Sequence, residues 1–408
     1  MASVSKRTWT HASEEKTAWV VRYKDGGGIR RMQTFPSKKL ADKARLRIEV
    51  EIEHGEHTAA RDTETIGATA EAYIRHQEDR LRGGTLRRTT CASDKSAITS
   101  CIMPALGGVK WTDLTIARIA TWHDAMIRER GITAGSALVR VKILRSMERF
   151  ARLRGATRKG IVHEAIASLP RAQNQKVRTF TVEEVKHLLT VASGPKPEGT
   201  KGHFRAHAMY EVVVHIAAYC GLRMGEIFAL SPRDIDFDRR RLFVRKSVNR
   251  FGEVGEPKTA AGVRPVPMPA VVAALIRQWI EQHFVANEHD LIFTVRSGLP
   301  VNGSNFFRLG WQPLLKRAGL EGDGDSLHFH ALRHFTASWM LENGIPPATV
   351  SRLIGHSSVA MTLRVYTHSV REMDQWQGEF DRVSSLVSSD IIEISATRAP
   401  QIAQVIEI

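Results

Sequence analysis

Cysteine is scarce, with only three in 408 residues. Cys91, Cys101 and Cys220 are scattered and odd in number, with no CxxC pair, which offers no disulfide framework and fits reduced cytosolic thiols. Long apolar runs are also missing. None approaches the roughly eighteen residues of a membrane helix, and the N-terminus has no apolar signal core, so neither membrane insertion nor secretion is expected. Acid is in short supply: 43 Asp and Glu face 59 Lys and Arg, a formal net charge of +16. A polyanion partner is the natural reading of that surplus, the alternative being a basic surface kept for solubility. What remains is ordinary for globular chains, 42% hydrophobic and 25% charged, with length enough for two or three domains. No internal repeat is evident.

The basic surplus is concentrated. Between Met1 and Arg47 there are twelve Lys/Arg and four Asp/Glu. Trp19–Tyr23 is β-prone, Asp25-Gly26-Gly27-Gly28 reads as a turn, and Ile29–Phe35 completes a hairpin. Ser37 caps a helix to about Ile52, with Leu40, Ala44, Arg47 and Ile48 spaced to pack on the sheet. The candidate DNA contacts here are Arg22, Arg30 and Arg31. A polar linker is expected around Glu56–Thr63. Helices follow from Thr65, over Cys91–Met103 with Pro104 ending it, over Thr115–Arg130, and over Ser136–Arg154. The last has an apolar stripe of Leu138, Val141, Leu144, Met147, Phe150 and Leu153. Arg140, Lys142, Arg145, Arg149 and Arg152 crowd its remainder, and from Ala137 to Arg178 eleven Lys/Arg meet two acids. Charge of one sign at that density predicts a surface facing phosphates.

A basic linker is expected at 169–178, and Thr181–Glu184 forms a capping box that opens the next helix. An apolar helix over Phe204–Tyr219 ends at Gly221, and Arg223 opens a short helix whose backbone N–H groups favour an anion. Arg241–Asn249, Gly252–Lys258 and Gly262–Met268 suggest a small antiparallel sheet with Lys258 in its final turn. Lys246, inside the first run, is expected to have its direction fixed by strand alternation. Helices return at 269–287, 304–318, 331–343, 347–354 and from 360. The expected fold is mainly α with small antiparallel β-sheets (α+β), in several domains. These are a sheet-plus-helix module at 1–62, a helical domain at 63–168, the linker, a mostly helical domain at 179–385, and a tail at 386–408.

The chemistry concentrates between His330 and Tyr366. His330-Ala331-Leu332-Arg333-His334 is followed by Leu353-Ile354-Gly355-His356 and then by Val365-Tyr366-Thr367-His368. Upstream, Cys220-Gly221-Leu222-Arg223-Met224-Gly225-Glu226 supplies a second arginine. Such a set suits phosphate chemistry without a metal: guanidiniums neutralise a phosphodiester bidentately, His moves protons, and a phenol can attack phosphorus. His334 lies four residues after His330, but no Glu follows His330 as an HExxH zinc helix requires.

In order and spacing, these boxes resemble the tyrosine recombinases, specifically integrases of phages and mobile elements. The resemblance covers roughly Thr179 to Trp376, and more loosely the N-terminal parts. It implies catalytic roles for Arg223, Lys258, His330, Arg333 and His356, with Tyr366 as nucleophile. In that scheme Arg223 and Arg333 stabilise charge on phosphate oxygens, His330 assists deprotonation of Tyr366, His356 donates to phosphate, and Lys258 protonates the departing 5′-oxygen. Glu226 is expected to orient its helix or pair a basic group. The resemblance further implies an arm-type DNA-binding module at 1–62, a core-binding domain at 63–168, and double-stranded attachment sites as substrate. It also implies a homotetramer on DNA, a directionality or DNA-bending partner, a cytoplasmic, nucleoid-associated location, and no metal or cofactor. The tail would dock on a neighbouring subunit. Two other readings stand beside it, a metal-dependent phosphodiesterase and a non-catalytic DNA-binding regulator.

Overall fold

A computed structural model describes residues 2–11, 14–55, 57, 64–158, 160–170, 178–195, 204–257, 260–321 and 327–366. The chain divides into two compact units, Met1–Gln175 and Lys176–Ile408. The expected class holds: helices dominate the described residues, and every paired strand is antiparallel.

The first unit opens on a sheet of β1 (Ser3–His11), β2 (Glu14–Lys24) and β3 (Arg30–Phe35), in that order. β1 is an addition to the expected hairpin: its residues carry little apolar alternation, and its register against β2 runs from Ser3 opposite Arg22 to His11 opposite Glu14. Val21 and Tyr23 turn to the face covered by α1 (Lys38–Glu53), which contributes Ala41, Ala44 and Ile48. Ser37 Oγ accepts from the Leu40 N–H at 3.4 Å as the N-cap. Leu40 and Arg47, expected on the packed face, are exposed instead, because the buried repeat 41, 44, 48 sets them about 100° away.

Among the described residues, six α-helices follow in this unit: α2 (Ile66–Arg82), α3 (Arg88–Ala97), α4 (Met103–Leu106), α5 (Ile116–Arg128), α6 (Ala134–Leu153) and α7 (Val162–Ser168). Pro104 does not end a helix. Ile98–Ile102 widens into a π-turn, and Pro104 sits in the first turn of α4, where its missing N–H was an orphan anyway. On α6, Val141, Leu144 and Met147 are fully buried, whereas Leu153, expected on that stripe, is 80% exposed at the last residue of the helix.

In the second unit α8 (Val182–Ser193) starts at the Thr181–Glu184 capping box, with Thr181 N–H to Glu184 Oε2 at 2.9 Å. There follow α9 (Phe204–Cys220), α10 (Met224–Ile227), β4 (Ile235–Asp236), β5 (Arg241–Val244), β6 (Ser247–Val248), β7 (Val254–Gly255) and β8 (Arg264–Pro267). Then come α11 (Ala270–His283), α12 (Gly303–Phe306), α13 (Gln312–Arg317), α14 (His330–Glu342), α15 (Pro347–Ile354) and α16 (Val359–Tyr366). The strands make two sheets rather than one. β5 pairs with β4 and β8, while β6 and β7 form a separate hairpin. Lys246 falls in the break between β5 and β6 and is exposed, so strand alternation does not fix its direction.

Candidate active site

The site is assembled where α9 ends. Gly221 takes φ +62, and a Cβ there would lie 2.6 Å from Ile354 Cδ1, so only glycine lets α15 come this close. Thr336 on α14 donates its hydroxyl to the Ala218 carbonyl at 2.9 Å, and Arg333 Nη1 donates to the Gly221 carbonyl at 2.9 Å. One turn of α14 thus satisfies carbonyls that the end of α9 leaves without intrahelical partners.

Arg223 caps α10. Its N–H donates to Glu226 Oε2 at 3.0 Å, its Nη1 to Glu226 Oε1 at 2.6 Å, and its Nη2 to the Gly355 carbonyl at 2.9 Å. Glu226 is 2% exposed and also accepts from Arg264 Nη1 at 3.2 Å and Nη2 at 2.9 Å. Burial pushes the Glu226 carboxyl up, but Arg264 and Arg223 outweigh it and hold the group below the usual carboxylate range. The expectation that Glu226 pairs a basic group is therefore met twice over. Arg264 Nε donates to the Leu353 carbonyl at 2.6 Å, so two guanidiniums grip the C-terminal end of α15. Gly355 has φ +75, and a Cβ on it would meet Arg264 Cζ at 2.8 Å.

That grip delivers His356, which is buried, its N–H donating to the Ser351 carbonyl at 2.9 Å and its Nδ1 2.9 Å from Thr362 Oγ1. Arg333 is 2% exposed, yet its Nε and Nη2 have no hydrogen-bond partner among the described residues. Burial and the neighbouring Arg223 push its guanidinium down to about 9. His330 and His334 meet edge to face, with ring centroids 4.9 Å apart. Burial first, then His334, Arg333 and Arg223, push the His330 ring down to about 4. For His356 burial first, then Arg333 and Arg223, also give about 4. His330 is exposed, so solvent screens its neighbours, whereas His356 is buried. Both imidazoles are neutral at pH 7 and lie among the cations of Arg223 and Arg333.

Of the expected catalytic residues, Arg223, His330, Arg333 and His356 converge here. Lys258 lies outside the described residues, as does the tail at 386–408. Tyr366 closes α16 by its backbone, its side chain lying outside the described residues. Two contributors carried no signal of their own in the sequence, Arg264 and Thr362. Arg264 could have been suspected as the charged residue on the buried face of β8, where the pattern is buried, exposed, buried, exposed.

The expected DNA contacts divide. Arg22 and Arg30 are exposed, and Arg22 bonds Ser5 Oγ at 2.8 Å. Arg31 stands opposite Tyr23 on the other face and is paired to Asp25 at 2.8 Å. On α6, Lys142, Arg145, Arg149 and Arg152 are exposed, while Arg140 is turned inward to Cys101 Sγ at 3.3 Å and the Ser136 carbonyl at 2.7 Å.

Two tests arise from this geometry. Glu226→Ala strands the buried Arg264 guanidinium and frees the half-buried Arg223, and is expected to cost about 3–5 kcal/mol of unfolding free energy in urea; a loss below about 1 kcal/mol would contradict it. The second concerns pH. His356 titrates near 6.5 when unfolded and near 4 when folded, so its contribution is fully present above 6.5, is lost as pH falls towards 4, and levels off below. Unfolding in that window is expected to take up about one proton through His356, and His356→Gln should flatten the slope by that amount. An unchanged slope would reject the assignment.

The phage integrase family is matched over residues 178–373. A tyrosine recombinase described as XerC-like, from Caldanaerobacter subterraneus subsp. tengcongensis, is 29% identical over 218 residues, 48% of this chain and 51% of that protein. The chain thus spans about half the length of that relative. The integrase of Mycobacterium phage L5 is 25% identical over 383 residues, 88% of this chain and 94% of that protein. Among solved structures, the Tn1549 transposon integrase in complex with transposon right end DNA aligns with TM-score 0.65 at 20% identity, over 79% of this chain and 100% of that one. A lambda integrase dimer bound to a COC′ core site aligns with TM-score 0.56 at 19% identity, over 88% and 94%. The order of the motifs agrees with that match, and residues 178–373 carry the domain of the phage integrase family.

Proposed function

We propose that this chain is a site-specific DNA recombinase, an integrase that cuts and rejoins strands at attachment sites to move a mobile element or prophage. The observation that carries the reading is Arg333, whose buried Nε and Nη2 lack partners among the described residues, beside Arg223 and two neutral histidines. Buried donors left unpaired are costly, and a phosphodiester supplies the acceptors and the charge they lack.

In the reaction, the Tyr366 oxygen attacks phosphorus and the bond to the 5′-oxygen breaks, leaving a 3′-phosphotyrosyl link and a 5′-hydroxyl. A phenol of pKa near 10 is only about one part in a thousand ionised at pH 7, so His330 takes its proton. Arg223 and Arg333 hold the charge that builds on the non-bridging oxygens, His356 donates to one of them, and Lys258 gives a proton to the 5′-oxygen. The link conserves the bond energy, so a 5′-hydroxyl from another strand reverses the step and completes the exchange without ATP.

The other basic faces support a division of labour: residues 1–62 reading arm sites, 63–168 clamping the core site, 169–178 linking, and 179–385 cutting. Lys24 directly opposite Arg30 on the exposed face of the sheet repels unless an anion lies there, which supports the first assignment. Solved relatives include a lambda integrase tetramer on a Holliday junction, and by that likeness the working form here is a homotetramer. An accessory directionality or DNA-bending protein and docking of the 386–408 tail on a neighbour complete the assembly. No helix among the described residues is long and apolar enough to cross a membrane. We place the protein in the cytoplasm, on the nucleoid.

A metal-dependent phosphodiesterase has less support, since among the described residues no group of three His, Cys, Asp or Glu converges. The deciding experiment traps the full chain on a nicked duplex carrying the element's own ends and maps the adduct by mass spectrometry. An adduct on the Tyr366 peptide is expected. No adduct, or one on another residue, would overturn the reading.

A further inference from the structure

Thr362 lies on α16 and is fully buried, four residues before Tyr366 on the same helix. Its Oγ1 stands 2.9 Å from His356 Nδ1, and among the described residues this is its only hydrogen bond. A hydroxyl carries one hydrogen, and a buried donor left unmade is costly. The hydrogen therefore goes to Nδ1, which must then be the unprotonated nitrogen of the ring. His356 is neutral, so its one proton sits on Nε2.

We propose that Thr362 is a positioning residue of the cleavage reaction: its hydroxyl fixes His356 as the Nε2–H tautomer and ties the helix carrying Tyr366 to the phosphate pocket. The proposal rests on the recombinase reading for its catalytic part. The opposite tautomer would present a bare Nε2 lone pair, which repels a phosphate oxygen instead of donating to it. The tie is continuous. Glu226 holds Arg223 and Arg264, these grip the carbonyls of Gly355 and Leu353, the next residue is His356, and His356 meets Thr362. The nucleophile's helix is thus anchored by a polar contact to the group that senses the phosphate, as well as by packing.

The test uses the full chain, a nicked attachment-site duplex and two variants. Thr362→Val keeps the shape and removes the hydroxyl, and Thr362→Ser keeps the hydroxyl. Single-turnover cleavage at saturating DNA is expected to fall about 10- to 100-fold in Thr362→Val, the scale for losing an orienting partner, with DNA affinity and thermal midpoint near wild type. Thr362→Ser should stay within about threefold of wild type, which a packing role for the γ-methyl would not allow. Thr362→Val cleaving within about threefold of wild type, or Thr362→Ser as slow as Thr362→Val, would overturn the proposal. A second readout does not need catalysis: ¹⁵N-histidine spectra, with His356 identified by its loss in His356→Gln. Wild type should show Nε2–H at His356, with Nδ1–H gaining in Thr362→Val. Nδ1–H in wild type, or no change in the variant, would overturn it. If wild type forms no adduct at all, the recombinase reading falls, and the spectra alone decide what Thr362 does.

Discussion

Tyr366→Phe is expected to bind its attachment site and to form no covalent adduct. The substitution removes one oxygen from the end of α16 and leaves in place the contacts made by Arg223, Glu226, Arg264, Arg333, His356 and Thr362 and by the carbonyls that the arginines hold. Affinity comes from guanidiniums, lysines and counterion release, none of which needs the phenol. The chemistry does need it, and loss of a nucleophile that acts with its partners as one unit costs at least about 10⁴-fold. Gel-shift and denaturing-gel assays on the same nicked duplex separate the two effects. Residual adduct within about 10²-fold of wild type would show another nucleophile at work.

Arg333→Met is expected to move activity and stability in opposite directions. Cleavage falls at least about 10²-fold, the scale for one lost oxyanion donor. The DNA-free protein, by contrast, gains stability. Arg333 is 2% exposed with two nitrogens, Nε and Nη2, unpartnered among the described residues, its charge opposed by Arg223 and only partly offset by Glu226. Replacing such a charge with an apolar chain of similar length is expected to stabilise by about 1–3 kcal/mol, even after losing the bond to the Gly221 carbonyl. Thermal melts with and without an attachment-site duplex provide the check: the variant melts higher than wild type without DNA and gains less from adding it. A variant that melts lower in both states would mean that Arg333 is a structural strut.

The residues proposed to meet the phosphate were legible because each sits in a short box that also builds its own backbone setting. Gly221 precedes Arg223, and Gly355 precedes His356, both in left-handed turns that aim the next residues inward. The residues that hold those boxes together were not legible. Arg264 is 38 positions from Glu226 and 89 from Leu353, and only the closed fold makes them neighbours. Thr362 looks like an ordinary helix residue until His356 arrives at its hydroxyl. Helix facing also failed locally, at Leu40, Arg47 and Leu153, where one position of phase or a helix end decides exposure. On α6 the one-signed charge pattern did not distinguish Arg140, which serves its own fold through Cys101 and Ser136. Lys246 was weighed on a strand that breaks before reaching it.

The grip of Arg223 on the Gly355 carbonyl spans 132 positions, and that of Arg333 on the Gly221 carbonyl spans 112. A nascent chain, or a fragment left by a protease, that ends before Gly355 has neither His356 nor the carbonyl that steadies Arg223. Such a piece retains basic faces with which to cling to DNA but holds no pocket in which to break it. In the proposed reaction, scission is thereby reserved for a molecule that carries every group of the site. On the recombinase reading proposed above, incompleteness is made harmless by the wiring of the fold itself.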